Sequence, residues 1–102
     1  MSNDRTALSE LHRESKPRKH HVVLHYLYLP TQESASEVAA ELRMQGFKTE
    51  ERLGADGVNW LVLARHEVVP TEGLIEATRV MMENRVRRVG GEYDGWEAEV
   101  KR

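Results

Sequence analysis

The chain has 102 residues, no cysteine and a formal net charge of −2, so it has the length of one domain and excludes disulfides, thiol nucleophiles and thiolate metal sites. Residues 1–19 carry five Lys or Arg and three Asp or Glu, a net +2, so residues 20–102 sum to −4. An acidic body repels nucleic-acid phosphates and suits a basic protein segment better. No apolar run could cross a bilayer and no signal peptide is recognisable, so we expect a cytoplasmic protein without membrane contact.

The first 19 residues predict a disordered basic arm that precedes the folded domain, residues 20–102. They are polar, show little periodicity and end in the basic segment 16–19. Ala7, Leu8 and Leu11 have the spacing of one helical turn, which a partner could order. We favour the interpretation of a solvated terminus.

The first predicted element of the folded domain is a strand over residues 20–29. It is rich in Val, Tyr and Leu and stops at Pro30. A helix should follow, because Thr31 and Ser34 both offer an N-cap hydroxyl and Ser34-x-x-Glu37 matches a capping box.

The body of this helix shows apolar residues at helical spacing, followed by Gly46 as a stop. These residues are Ala35, Val38, Ala39 and Leu42. The charged segment 47–52 predicts a weak second strand. The Asp56-Gly57 pair after it is the strongest short-range hairpin signal in the chain.

A strongly apolar third strand is predicted over residues 60–69, ended by Pro70. Thr71 should cap a second helix, which Gly90 and Gly91 terminate. Its predicted buried stripe consists of Leu74, Ile75, Thr78, Met81, Met82, Val86 and Val89. Residues 92–100 predict the last strand.

The predicted order β-α-β-β-α-β indicates an α+β fold of the ferredoxin-like, split β-α-β type. In that topology the first and third strands are central in a four-stranded antiparallel sheet, and two helices cover one face. Here the first and third strands are the apolar ones. The second and fourth carry most of the charge, as the exposed edges of an open sheet require.

Histidines are the only candidate metal ligands that the strands bring near one another. His20, His21 and His25 lie on the first predicted strand and His66 on the third. No carboxylate joins them at a recognised ligand spacing, so structural histidines are the favoured interpretation and no metal is expected.

Motifs for catalysis and nucleotide binding are missing from the sequence. There is no Gly-x-Ser-x-Gly elbow and no phosphate-binding glycine loop. An RNA-recognition module shares this element order and stacks bases on strand aromatics, which Tyr26, Tyr28 and Trp60 could supply. Its glycine-and-aromatic signature on the third strand is absent, so we favour core packing for these residues.

Gly95 is unusual because it lies inside a predicted strand, where glycine indicates a bulge or a close backbone approach. The flanking aromatics Tyr93 and Trp96 could fill the space that the glycine leaves. They favour either an edge strand packed against the second helix or a recognition edge with two aromatic anchors. The sequence leaves both interpretations open.

Three segments of the sequence, residues 25–30, 60–70 and 91–97, carry a likeness to a known family. The ending Gly-Gly-x-Tyr-Asp-Gly-Trp-Glu at residues 90–97 is the most specific part. The chain resembles the regulator of ribonuclease activity B family over residues 22–100, and the resemblance implies a ferredoxin-like fold. The matching residues that we carry over as family-signature and candidate partner-binding positions are Trp60, His66, Tyr93, Asp94, Gly95 and Trp96.

The resemblance implies an inhibitor of the endoribonuclease ribonuclease E. Such an inhibitor would bind the enzyme's regulatory, largely disordered scaffold region and so alter messenger decay. The resemblance supplies no catalytic residue and no cofactor. We therefore expect a non-catalytic protein that binds ribonuclease E or another RNA-processing protein through its acidic surface and its exposed sheet face or edge, without direct nucleic-acid contact.

Two other functions remain open at this point. The first is a dimeric small-molecule-binding or oxygenase-like α+β domain, which would need an apolar pocket near His25, Tyr26 and Trp60. The second is an immunity or accessory protein that neutralises a toxin. Whether the chain forms a homodimer is not decided by the sequence.

Overall fold

The computed structural model describes residues 20–99, so the predicted arm lies outside the described residues. Six elements follow one another in the order expected from the sequence. They are β1 (His21–Leu29), α1 (Gln32–Met44), β2 (Lys48–Leu53), β3 (Trp60–Val68), α2 (Glu72–Arg87) and β4 (Glu92–Ala98).

The four strands form one antiparallel sheet in the order β2-β3-β1-β4. The two apolar strands are central and the two charged strands are the edges. The predicted ferredoxin-like α+β fold is therefore confirmed. Neither helix of the described part is long and apolar enough to cross a membrane.

The two faces of the sheet differ because side chains alternate along each strand. In β1 every second residue from His21 to Leu29 is buried, and the residues between them are half-buried. The buried residues Leu27 and Leu29 pack with side chains of both helices in one core. We call the side that packs against α1 and α2 the helix face and the other side the open face.

The helix α1 begins at a different residue pair from the one that the capping-box pattern suggested. Thr31 is the N-cap, and its hydroxyl accepts a hydrogen bond from the Ser34 main-chain N–H at 3.0 Å. The Ser34 hydroxyl occupies the reciprocal position toward the Thr31 main chain, so the box is Thr31–Ser34. The predicted Ser34–Glu37 box was wrong because a pattern of polar residues three apart fits two registers.

The helix α2 is capped by Thr71, as predicted, and it buries a narrower stripe than expected. Its buried residues are Ile75, Thr78, Met82 and Val86. Leu74, which was expected in the core, lies in the first turn of α2 and is 37% exposed. Arg85 joins the two helices through an ion pair with Glu41 at 2.6 Å.

The β2–β3 hairpin is closed by the predicted Asp-Gly turn. The Asp56 carboxylate accepts hydrogen bonds from the main-chain N–H groups of Val58 and Asn59, both at 2.9 Å. These bonds, with the Asn59 side chain, hold the pKa of the Asp56 carboxyl below its usual value. The turn thus fixes how β2 pairs with β3.

Candidate functional site

A bulge in β4 decides which side chains of this strand reach each face of the sheet. The pairing of β1 with β4 shifts between Tyr26 and Leu27, and Gly95 has a φ of 129°. Asp94 is the additional residue between Tyr93 and Gly95, which both pair with β1. The bulge expected from Gly95 is therefore present. A Cβ built on Gly95 would meet no atom within 4 Å outside its neighbours Asp94 and Trp96, so Tyr93 does not fill the space beside it. That Trp96 fills this space stays a prediction.

The bulge allows residues at odd spacings to share a face. Tyr93 pairs with Leu27 and Trp96 with His25, so both aromatic side chains lie on the helix face although they are three residues apart. Glu92 and Glu97 pair with residues of the open face although they are five apart. Regular alternation would have separated both pairs.

A hydrogen-bonded chain of His66, His25 and Tyr93 lies between the sheet and the helices. His25 is fully buried, and its Nε2 lies 3.1 Å from Nε2 of His66. Its Nδ1 lies 2.9 Å from the Tyr93 hydroxyl. Phe47 packs beside the pair, with its ring centroid 4.6 Å from that of His66. This hydrogen-bonded chain connects three strands, because His66, His25 and Tyr93 come from β3, β1 and β4.

Burial disfavours the charged form of both histidines in this hydrogen-bonded chain. Burial, and secondarily the neighbouring His66, lower the pKa of His25 from 6.5 to about 3. Burial also lowers the pKa of His66. A neutral pair satisfies the short contact, because one Nε2 carries a hydrogen and the other accepts it. The arrangement is suited to holding β4 against β1.

The geometry gives these histidines no third metal ligand. Within residues 20–99 no group of three or more His, Cys, Asp or Glu side chains is placed to hold a metal ion. His21 is separate from the pair, since its Nδ1 lies 2.9 Å from the main-chain oxygen of Glu99. His25 and His66 thus make their hydrogen bonds within the sheet, and His21 makes its bond to the residue that follows β4.

The structure brings five of the six family-signature residues together around His25 and separates the sixth. His66 and Tyr93 contact His25 directly, and Asp94, Gly95 and Trp96 follow at the bulge. Trp60 lies at the far end of β3, opposite Leu29, and packs against the core. His25 itself was missing from the predicted set. An ionisable residue at an inward position of a central apolar strand was the signal that could have found it.

The residues expected to line one pocket do not share a side of the sheet. His25 faces the helices, whereas the next residue, Tyr26, lies on the open face. Trp60 pairs with Leu29, which also lies on the helix face but is four residues along β1 from His25. These three residues therefore do not line one pocket, as a small-molecule-binding or oxygenase-like domain would require.

The edge strand β4 carries a one-sided charge. The four charged residues of segment 92–99 are all acidic: Glu92, Asp94, Glu97 and Glu99. All four are exposed, and no Lys or Arg lies in this segment. We call these four residues the acidic edge. The Tyr26 hydroxyl, on the open face, donates a hydrogen bond to Glu97 and so joins the edge to β1.

The family comparison covers nearly the whole chain. The model of the family described as regulator of ribonuclease activity B matches residues 2–98. The chain belongs to this family. No curated protein matches the sequence.

The regulator of ribonuclease activity B match extends beyond the described strands and helices at its N-terminal end. The match begins at residue 2, and so it includes most of the segment that we predicted to be an arm. It ends at Ala98, the last residue of β4. The His25 chain, the bulge and most of the acidic edge all lie inside the matched range.

Proposed function

We propose that the protein is a non-catalytic regulator that binds ribonuclease E, or another RNA-processing protein, through the acidic edge. The observation that carries the proposal is the one-sided charge of β4, which lies at the border of the sheet. A partner segment rich in Lys and Arg would supply complementary charge. Membership of the regulator of ribonuclease activity B family supports this class of partner.

The signature residues take two roles in this proposal. Asp94 belongs to the acidic edge. Trp96 is half-buried and lies next to the exposed acid Glu97, so it borders the same edge. His66 and Tyr93 act on the edge through His25, because their hydrogen bonds fix β4 to the central strands. A preformed edge loses less conformational entropy when a disordered partner segment binds.

The charge of the edge predicts how binding responds to mutation. Replacing Glu92→Lys and Asp94→Lys together should weaken the affinity for ribonuclease E about tenfold or more, because two attractive contacts become repulsive. The matched control is Glu33→Lys with Glu37→Lys, which makes the same change of net charge on exposed positions of α1. The control should stay within about twofold of the wild-type affinity.

The measurement is titration of full-length protein against ribonuclease E at low and at high salt, followed by the rate of RNA cleavage. We expect binding to weaken as salt rises, since exposed charges are screened. We also expect slower cleavage by the complex. Equal losses in the edge variant and the control, or an affinity that ignores salt, would contradict a binding site at the acidic edge. Binding to the RNA alone would contradict a protein partner.

A further inference from the structure

The open face of the sheet is ordered in rows that run across all four strands. The register places Arg52, Leu61, Tyr28 and Glu92 in one row from β2 to β4. Two rows further along the strands, Lys48, Arg65, Leu24 and Glu97 form another. Each of these rows begins with a cation on β2 and ends with an anion on β4. The inner positions are Leu61 and Tyr28 in the first row and Arg65 and Leu24 in the second.

The row between these two has a different arrangement of charges. It contains Glu50, Leu63, Tyr26 and Gly95. Here the acid lies on β2, and the β4 position is a glycine without a side chain. A Cβ built on this glycine would meet no atom within 4 Å apart from those of its two chain neighbours.

From this pattern we propose that the open face pairs with the open face of a second copy of the chain, about a two-fold axis parallel to the strands. Such an axis keeps each row opposite the same row and reverses its order. Arg52 then faces Glu92 of the second copy, and Lys48 faces Glu97 of the second copy. Glu50 faces Gly95 of the second copy, so the acid on β2 meets a position without a side chain. Every charge at the rim of these three rows thus meets an opposite charge or none.

The orientation of the axis follows from the charges. A two-fold axis that crosses the strands would place β4 over β4 and oppose the two acidic edges. Like charges held opposite one another are destabilising. The axis along the strands is the one that avoids this repulsion, and it leaves the sheets aligned, as in other packings of two sheets face to face.

Three of the four rim charges that the second copy would meet make no ion pair within the described residues, and the fourth, Glu97, accepts a hydrogen bond from Tyr26. In the described part, Arg52, Lys48 and Glu92 are exposed and make no ion pair. Arg65, inside its row, is already paired with Glu50 at 2.7 Å. The apolar contact comes mainly from Leu24, Tyr26 and Tyr28, which are half-buried, because Leu61 and Leu63 are only 7% and 8% exposed.

The size of the face indicates a reversible dimer. Four strands spaced by about 4.8 Å, over seven residues of about 3.4 Å, give a face of roughly 450 Å² per copy. Twice this area, roughly 900 Å², lies below the range of stable protein interfaces and fits a weak, transient one. We therefore expect a monomer–dimer equilibrium that depends on protein concentration. This proposal does not rest on ribonuclease binding, although it uses Glu92 and Glu97, which also belong to the acidic edge.

The test exchanges one pair of charges in the full-length protein and follows mass against concentration by analytical ultracentrifugation. Arg52→Glu should weaken the dimer about tenfold, since each substitution enters the symmetric interface twice. Glu92→Arg should do the same. The double variant Arg52→Glu with Glu92→Arg should return to within about threefold of the wild-type dissociation constant. Within one chain these two side chains are three strand spacings apart, roughly 14 Å, so the recovery has to arise between copies.

Two controls test whether the change in dimer affinity arises at the open face. Glu37→Arg, an exposed change on α1, should leave the equilibrium unchanged, and thermal unfolding of each variant should match the wild type. A wild-type protein that is monomeric up to about 1 mM would overturn the proposal. A double variant no better than either single one would overturn it as well. A monomeric wild-type protein that binds ribonuclease E through the acidic edge would overturn the dimer alone, and a dimer without ribonuclease binding would overturn the acidic edge alone.

Discussion

Lowering the pH from 7 to 5 is expected to reduce the free energy of unfolding by about 2 kcal/mol through His25 alone. In the folded protein the pKa of His25 is lowered to about 3, whereas an unfolded chain restores it to 6.5. Between these values the unfolded chain binds more protons, so acid favours unfolding. The stabilisation is complete above pH 6.5 and is lost as the pH falls toward 3. His66 adds to the effect in the same direction, because its pKa is also lowered.

Urea denaturation at a series of pH values between 5 and 7 measures this effect. Asp56 does not interfere, since its pKa lies below the ordinary carboxyl value and outside the window. His25→Leu should lower stability at pH 7 and flatten the dependence on pH. His20→Gln changes an exposed histidine and should keep the wild-type slope. A His25→Leu protein with the wild-type slope would show that the buried pair is not the source.

Gly91→Ala should destabilise the protein by about 3 kcal/mol, because the site after α2 has no room for a methyl group. A Cβ on Gly91 would lie 2.6 Å from the main-chain oxygen of Tyr28 and 2.7 Å from Cδ1 of Leu29. It would also lie 3.1 Å from Cβ of Val86, a buried residue of α2. Main chain and core would have to move together, and a domain of this size should lose roughly 15 °C in melting temperature.

The same substitution at Gly73 is the matched control. Gly73 lies in the first turn of α2, and a Cβ there would meet nothing within 4 Å. Alanine should raise stability by about 0.5 kcal/mol, since it restricts the unfolded chain. Thermal unfolding of the two variants should therefore shift in opposite directions. Similar melting temperatures for both would mean that the contacts at Gly91 relax without cost.

The element order could be predicted from the sequence because each element carries its own local signal. Thr71 capped α2 as expected, and the apolar strands were the central ones. The helix cap depends on residues that are close together in the chain. The position of a strand in the sheet depends on how much of its surface is buried by neighbouring strands and helices. Periodicity and capping chemistry are sufficient to read them.

The candidate site could not be predicted in the same way, because it depends on register. Whether His25 meets His66 is decided by which residue of β1 pairs with which residue of β3, and a shift by one would reverse the faces. Tyr93 reaches the pair only because the β4 bulge changes the phase of the strand. Gly95 predicted a bulge, but the sequence did not indicate which residue would be the additional one.

The bulge at Asp94 also affects how the protein behaves in a crowded solution. The outer main-chain groups of β4 are not paired within the sheet, and a flat edge of this kind can accept a strand from another molecule. An additional residue breaks the even spacing of those groups, so an incoming strand cannot form a continuous ladder along them. The bulge thereby disfavours association of the protein through the main chain of this edge.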